Sequence, residues 1–80
     1  MRARVEIGFR PGVLDPEAQA IGKALGALGF AGVREVRKTR VIELELEGSD
    51  KAAAEAEVKA MCERLLANPV IETYRVALGD

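Results

Sequence analysis

Apolar and polar residues alternate over the first ten positions. Ala3, Val5, Ile7 and Phe9 fall on one side, Arg2, Arg4, Glu6 and Arg10 on the other. A period of two predicts a strand with one face in a core. Pro11-Gly12 signals a turn. Asp15-Pro16 then marks a helix start, because the residue before a proline is held extended, as an N-cap requires, and proline suits the first helical position. Ala18, Ile21, Leu25 and Leu28 recur at helical spacing. Gly29 is placed to end that helix in a left-handed cap.

Residues 33–38, VREVRK, predict a second strand. Residues 41–47, VIELELE, predict a third, with Ile42, Leu44 and Leu46 inward and Glu43, Glu45 and Glu47 outward. A tight turn around Thr39 would join the two as a hairpin. Gly48-Ser49-Asp50 breaks the third strand and supplies a cap. The alanine-rich run KAAAEAEVKAMCERLLA predicts a helix whose inward face carries Ala54, Val58, Met61 and Leu65, with Cys62 beside them. Asn68-Pro69 stops it, and VIETYRVAL reads as a last strand with Tyr74, Val76 and Leu78 inward.

The predicted order is strand, helix, strand, strand, helix, strand. Two split βαβ halves imply a single α+β domain over residues 1–80. This is a ferredoxin-like βαββαβ sandwich, with a four-stranded antiparallel sheet and two helices on one face. In that topology the first and third strands are neighbours, so arginines of one (Arg2, Arg4, Arg10) meet glutamates of the other (Glu43, Glu45, Glu47) on the face away from the helices. Cross-strand pairs of opposite charge contribute about 0.2–1 kcal/mol each. That face is either solvated or covered by a second copy of the chain.

Composition narrows the function. A domain this small buries roughly 60% of its unfolded surface, which leaves little room for a deep private cleft. The net charge is −1, with no basic excess of the kind nucleic acid or an anionic membrane surface attracts. No apolar stretch reaches the length of a membrane span, and MRARVEIGF does not read as a signal peptide. A soluble, cytoplasmic protein is the expectation. Histidine is absent and cysteine occurs once. The commonest general base, the commonest metal ligand and any internal disulfide are therefore missing.

The remaining candidate chemistry reads as structure. Cys62 lies late in its helix, where the helix dipole disfavours a thiolate, and it flanks apolar residues. Asn68-Pro69 reads as a helix stop and turn, or as a sharply defined loop offered to a partner. The glutamate row on the third strand offers no acid–base pair. RNA-recognition motifs share this element order but stack bases on sheet aromatics, and here the exposed sheet positions carry Arg and Glu.

Taken together, RPGVLDPEAQAIGKALGALGF, VREVRKTRVIELELEG and MCERLLANPVIETYRV resemble the PurS family, the small subunit of phosphoribosylformylglycinamidine synthase. The most specific pieces are Pro-Gly-Val-x-Asp-Pro at 11–16, Ile-Glu-Leu at 42–44 and Leu-Leu-Ala-Asn-Pro-Val-Ile-Glu at 65–72. The resemblance implies a complex that converts formylglycinamide ribonucleotide, glutamine, ATP and water into formylglycinamidine ribonucleotide, glutamate, ADP and phosphate. A glutaminase subunit (PurQ) releases ammonia and a synthetase subunit (PurL), using ATP and Mg, receives it. The small subunit, as a homodimer or tetramer, binds both and supports ammonia transfer. It binds no cofactor or metal and carries no catalytic residue of its own. The family commonly has Gly-Lys where this chain has Thr39-Arg40, and threonine disfavours the positive φ of a tight turn. The contact residues expected from exposure and motif position are Arg10, Pro11, Gly12, Arg37, Arg40, Asn68, Pro69 and Glu72. The other reading the residues leave open is a ligand-sensing regulatory module of the same fold, acting as a dimer.

Overall fold

A computed structural model describes residues 1–79. The elements are β1 (Arg2–Phe9), α1 (Pro16–Ala27), β2 (Arg40–Glu45), α2 (Lys51–Met61), a single π turn (Cys62–Leu66) and β3 (Glu72–Gly79). The expected start signals act as predicted. Asp15 caps α1, its carboxylate accepting from the N–H groups of Glu17 and Ala18, and Asp50 accepts from the Ala53 N–H at the head of α2. Each cap satisfies donors the helix cannot satisfy itself. At the other end of α1, Gly29 has φ +97°, and the Phe30 and Gly29 N–H groups return to the carbonyls of Leu25 and Gly26. That double closure needs a left-handed residue, which glycine adopts without a Cβ clash.

The sheet is antiparallel, with β1 in the centre and the order β2-β1-β3. The alternation of β1 places Ala3, Val5 and Ile7 fully inside, against Val58 and Cys62 of the second helical segment. Ile42, Leu44, Tyr74, Val76 and Leu78 from the flanking strands close round this core half-buried. The opposite face shows the expected charge register: Arg2 faces Glu45 with N···O 3.5 Å, Arg4 faces Glu43, and Glu6 binds Arg75 at 3.0 Å. These pairs are exposed, so each contributes little beyond register.

Two parts of the expected sandwich are different. Among the described residues the sheet has three strands, not four, and α2 is the helix that covers its face. Residues 33–38 do not fold back beside β2, because the hairpin at Thr39 does not form. No non-glycine residue among those described has positive φ, and Thr39 instead passes straight over β1, its methyl carbon 3.1 Å from where a Gly8 Cβ would stand. A side chain at Gly8 would press on it and require it to give by a few tenths of an ångström. The segment therefore runs on past the end of the sheet and packs along α1. Val36 lies 3.6 Å from the Cβ position of Gly22, and Lys38 pairs with Glu17.

The result is an arm made of α1 and residues 33–39. It stretches the chain to 49 × 26 × 14 Å with a radius of gyration of 16.1 Å, where a compact chain of this length would have about 12 Å. Of the apolar positions expected in the core, Ile21, Leu28 and Phe9 are exposed. Leu28 is 73% exposed, and Leu14, Phe30 and Val33 join it on the arm.

Candidate functional site

β1 ends at Phe9, β2 begins at Arg40 and β3 begins at Glu72, so one end of the sheet gathers the two roots of the arm and the loop that leaves α2. That loop is fixed by side chains far away in sequence. The Arg10 guanidinium donates twice to the Pro69 carbonyl, from Nε at 3.1 Å and Nη2 at 2.7 Å, while the Arg10 N–H donates to the Ile71 carbonyl at 2.8 Å. Arg40 Nη2 donates to the Leu66 carbonyl at 2.8 Å and to Glu72 Oε1 at 3.1 Å. Glu72 also accepts from the Asn68 N–H at 2.8 Å. Its side chain is only 11% exposed, so the two bonds replace water it has lost. Asn68 completes the turn: its Oδ1 accepts from the Val70 N–H, and its carbonyl accepts from the N–H groups of Ile71 and Glu72. Charge-assisted bonds of this kind are the strong ones. Arg10 and Arg40 thus tie both roots of the arm to the loop after α2.

Five of the eight expected contact residues meet here: Arg10, Arg40, Asn68, Pro69 and Glu72. Pro11 and Gly12 form the adjoining turn, closed by the Val13 N–H on the Arg10 carbonyl, with Gly12 at φ +86°. They line an open cleft of ≈ 630 Å³ between the arm and the sheet, together with Glu35, Tyr74 and Arg75. Arg37 also borders this cleft, but its guanidinium is paired with Glu35 at 3.1 Å rather than with the loop.

Cys62 is fully buried in the core. Burial, and then the Glu63 carboxylate, push its thiol above the ordinary range. Desolvation first, then Glu63 and Cys62, push the Tyr74 hydroxyl the same way against a lowering by Lys59. A thiol held neutral is neither nucleophile nor ligand. Among the described residues no three His, Cys, Asp or Glu side chains converge as a metal set, and no helix is long and apolar enough to cross a membrane.

Both raised groups deprotonate more readily in the unfolded chain. Stability is therefore fully present below the free thiol value of about 8.5 and is lost as pH rises through the folded values. The urea midpoint is expected to fall as pH rises above the free thiol value, and to fall less steeply in Cys62→Ala. Equal slopes in the two proteins would contradict this.

One feature of this end escapes the periodicity. The helical pattern places Leu65 inward, three residues after Cys62. Instead Leu65 is 83% exposed, while Leu66 and Ala67 turn toward the core. The π turn causes this: the Ala67 N–H bonds the carbonyl of Cys62, five residues back, at 2.9 Å. The extra residue in that turn rotates everything after it.

The model of the family PurS: Phosphoribosylformylglycinamidine (FGAM) synthase matches residues 2–80. The chain is 45% identical over 76 residues to the phosphoribosylformylglycinamidine synthase subunit PurS of Archaeoglobus fulgidus, covering 95% of each chain. Its structure is similar to that of Bacillus subtilis PurS, with a TM-score of 0.89 and 38% identity over 99% of this chain and 98% of that one. It is also similar to a chain in the structure of PurLQS from Thermotoga maritima, with a TM-score of 0.86 and 34% identity over 95% and 93%.

Proposed function

The chain belongs to the PurS family and is a subunit of FGAM synthase, the glutamine-dependent ligase of purine biosynthesis, and from this premise we propose that it is the structural bridge of that complex. It holds a PurQ-type glutaminase against a PurL-type synthetase so that ammonia passes between their sites without reaching bulk water. The chemistry gives the reason for a bridge. Ammonia released at neutral pH is mostly protonated, and the ammonium ion has no lone pair with which to attack an activated amide. A closed path between the sites preserves the nucleophile. ATP and Mg act on the synthetase subunit, and this chain contributes contact surface rather than a catalytic side chain. The complex works in the cytoplasm.

The observation that carries the reading is the PurS match along residues 2–80, and the arm agrees with it. An 80-residue chain that leaves Leu14, Leu28, Phe30 and Val33 uncovered has not finished burying its apolar surface. A second copy covers the arm, and residues 33–38 then supply the fourth strand of the sandwich across the boundary between copies, against the open edge of β2. Arg10, Arg40, Asn68, Pro69 and Glu72 fix the angle at which the arm leaves the sheet, and so the spacing of everything attached to it.

Mixing the three purified proteins tests the bridge. With ATP, magnesium and glutamine present, one assembly is expected in size exclusion, and glutamine-dependent turnover is expected only when this chain is included. The chain alone is expected to hydrolyse neither glutamine nor ATP. If the two larger proteins turn over glutamine equally well without it, the bridging role is wrong.

A further inference from the structure

The three-stranded sheet has two outer edges. The β2 edge is the one that residues 33–38 of a second copy pair with, and the β3 edge is left over. On its inner side β3 pairs with β1 without a break from Glu72 to Gly79. Among the described residues its outer side pairs with no strand, and no backbone group of residues 73–79 bonds elsewhere. We propose that this edge is a second contact between copies: β3 pairs antiparallel with β3 of another copy about a two-fold axis at Val76, so that two sheets become one. The contact lies across the sheet from β2, needs neither larger subunit and goes beyond the bridge reading.

Three observations support it. First, the edge is unguarded. Edge strands that stay open are kept short, bulged, or marked with lysine or proline. β3 has eight residues and a continuous register, and residues 72–79 contain neither proline nor lysine. Its one cation, Arg75, reaches back over β1 to Glu6 at 3.0 Å, away from the edge.

Second, the strand matches itself. A two-fold axis normal to the sheet keeps each side chain on its own face, so the allowed registers differ by steps of two residues. Centred on Val76, Tyr74 stands opposite the partner's Leu78 on the core face. Arg75 stands opposite the partner's Ala77 on the open face. Apolar meets apolar, and no like charges meet from residue 73 to residue 79. Centred on Arg75, the arginine would oppose its own copy, which is unfavourable. Centred on Ala77, the ladder would be shorter.

Third, the core face at this edge is unfinished. Tyr74, Val76 and Leu78 pack on the core but remain half-buried, and a paired strand would cover their outer side. Lys59 and Glu63 stand near enough to act on the Tyr74 hydroxyl, and Lys59 is already paired with Glu55 at 3.1 Å. The helical flank above β3 therefore holds no block of like charge to keep a second copy away. A strand edge buries little area, at the low end for interfaces. It is the weaker of the two contacts, joining pairs made by the arm into fours.

The test uses the free chain. Ala77 is exposed, so Ala77→Glu and Ala77→Lys are expected to keep the wild-type circular dichroism. By symmetry each contact gains two carboxylate–Arg75 pairs in Ala77→Glu and two cation–Arg75 pairs in Ala77→Lys. In sedimentation equilibrium the joining of pairs is expected to tighten about 2- to 30-fold in the first and to weaken by a similar factor in the second. Equal affinities in wild type and both variants would overturn the proposal.

The register is tested by cross-linking in a Cys62→Ala background. Val76→Cys faces its own copy across the axis at a Cα separation of about 4.5–5.5 Å, within reach of a disulfide. Arg75→Cys and Ala77→Cys stand about 7–8 Å from their own copies, beyond that reach. With oxidised glutathione, covalent pairs are expected from Val76→Cys and not from the other two. Equal yields from all three, or a higher yield from Arg75→Cys or Ala77→Cys, would overturn the proposal. So would a wild-type chain that stops at two copies while Val76→Cys gives no cross-link. A chain that stops at two copies and does cross-link through Val76→Cys would support the edge contact and remove the one on the arm. If Val76→Cys does not fold, the Ala77 variants decide alone.

Discussion

Ile7→Ala is expected to remove about 2–5 kcal/mol of stability, the range for truncating a large buried aliphatic side chain in a packed core. Ile7 is 1% exposed in the central strand, its backbone paired with Arg40 on one side and Tyr74 on the other. It shares a buried cluster with Val5, Val58 and Cys62. Both neighbouring strands are anchored through β1, so they cannot collapse into the space without breaking register. A domain of this length has a total stability of roughly 4–12 kcal/mol, so the loss takes away a large part of it.

The measurement is urea unfolding at fixed protein concentration, since self-association adds to apparent stability. Ile7→Val should cost about 0.5–1.5 kcal/mol. Ile21→Ala, on the arm, should cost much less than Ile7→Ala at protein concentrations low enough to separate copies. A cost below about 1 kcal/mol for Ile7→Ala would mean that the sheet is not where this chain's stability lies.

The contrast between Ile7 and Ile21 marks the limit of what periodicity reveals. Both sit on clean apolar stripes. A stripe says that a face will be buried, but not by which chain. For β1, α2 and β3 the covering element is local, and the pattern identifies the core positions Ala3, Val5, Ile7, Ala54, Val58 and Cys62. For α1 the partner is not on the sheet, so the same pattern points to a core that one chain does not contain.

The missing strand has a similar origin. Residues 33–38 read as extended, and they lack pairing because Thr39 does not turn. The substitution of threonine where a tight turn takes glycine was visible in the sequence. Its consequence, a segment running straight on over Gly8, required the register of β2 against β1.

Leu65 was hidden for a different reason. Leu65 and Leu66 are adjacent, and one of them must face out. Only a hydrogen bond five residues long decides which. At the contact end, the alternation places Arg10 on the open sheet face with Arg2 and Arg4. Its alternation is correct, but the ladder ends one residue earlier, and its side chain is free to reach Pro69, 59 positions away.

The arm leads to the second large effect. Leu28→Glu combined with Phe30→Glu is expected to weaken self-association by at least about 100-fold, taking each apolar anchor as worth roughly 2 kcal/mol and allowing for incomplete additivity. The two residues flank Gly29, whose φ of +97° and the returning bond from the Phe30 N–H to the Leu25 carbonyl hold them in place at the end of α1. Leu28 is 73% exposed in the single chain, so a charge there disturbs no core and folding should be intact by circular dichroism. What changes is the encounter between copies. Each arm then brings two carboxylates into an apolar contact, where an unpaired charge is costly to desolvate. Sedimentation equilibrium over a range of concentrations separates the outcomes. A wild-type chain that stays at the single-chain mass of 8.6 kDa would show that the arm is covered by some other protein. A variant that associates like wild type would place the contact between copies elsewhere, with the open face of the sheet, where Arg2 and Glu45 already pair, as the next surface to change. If the variant is a single chain and also fails to join the larger subunits, the bridge acts as a pair, and its span is set by the angle at which Arg10 and Arg40 hold the arm.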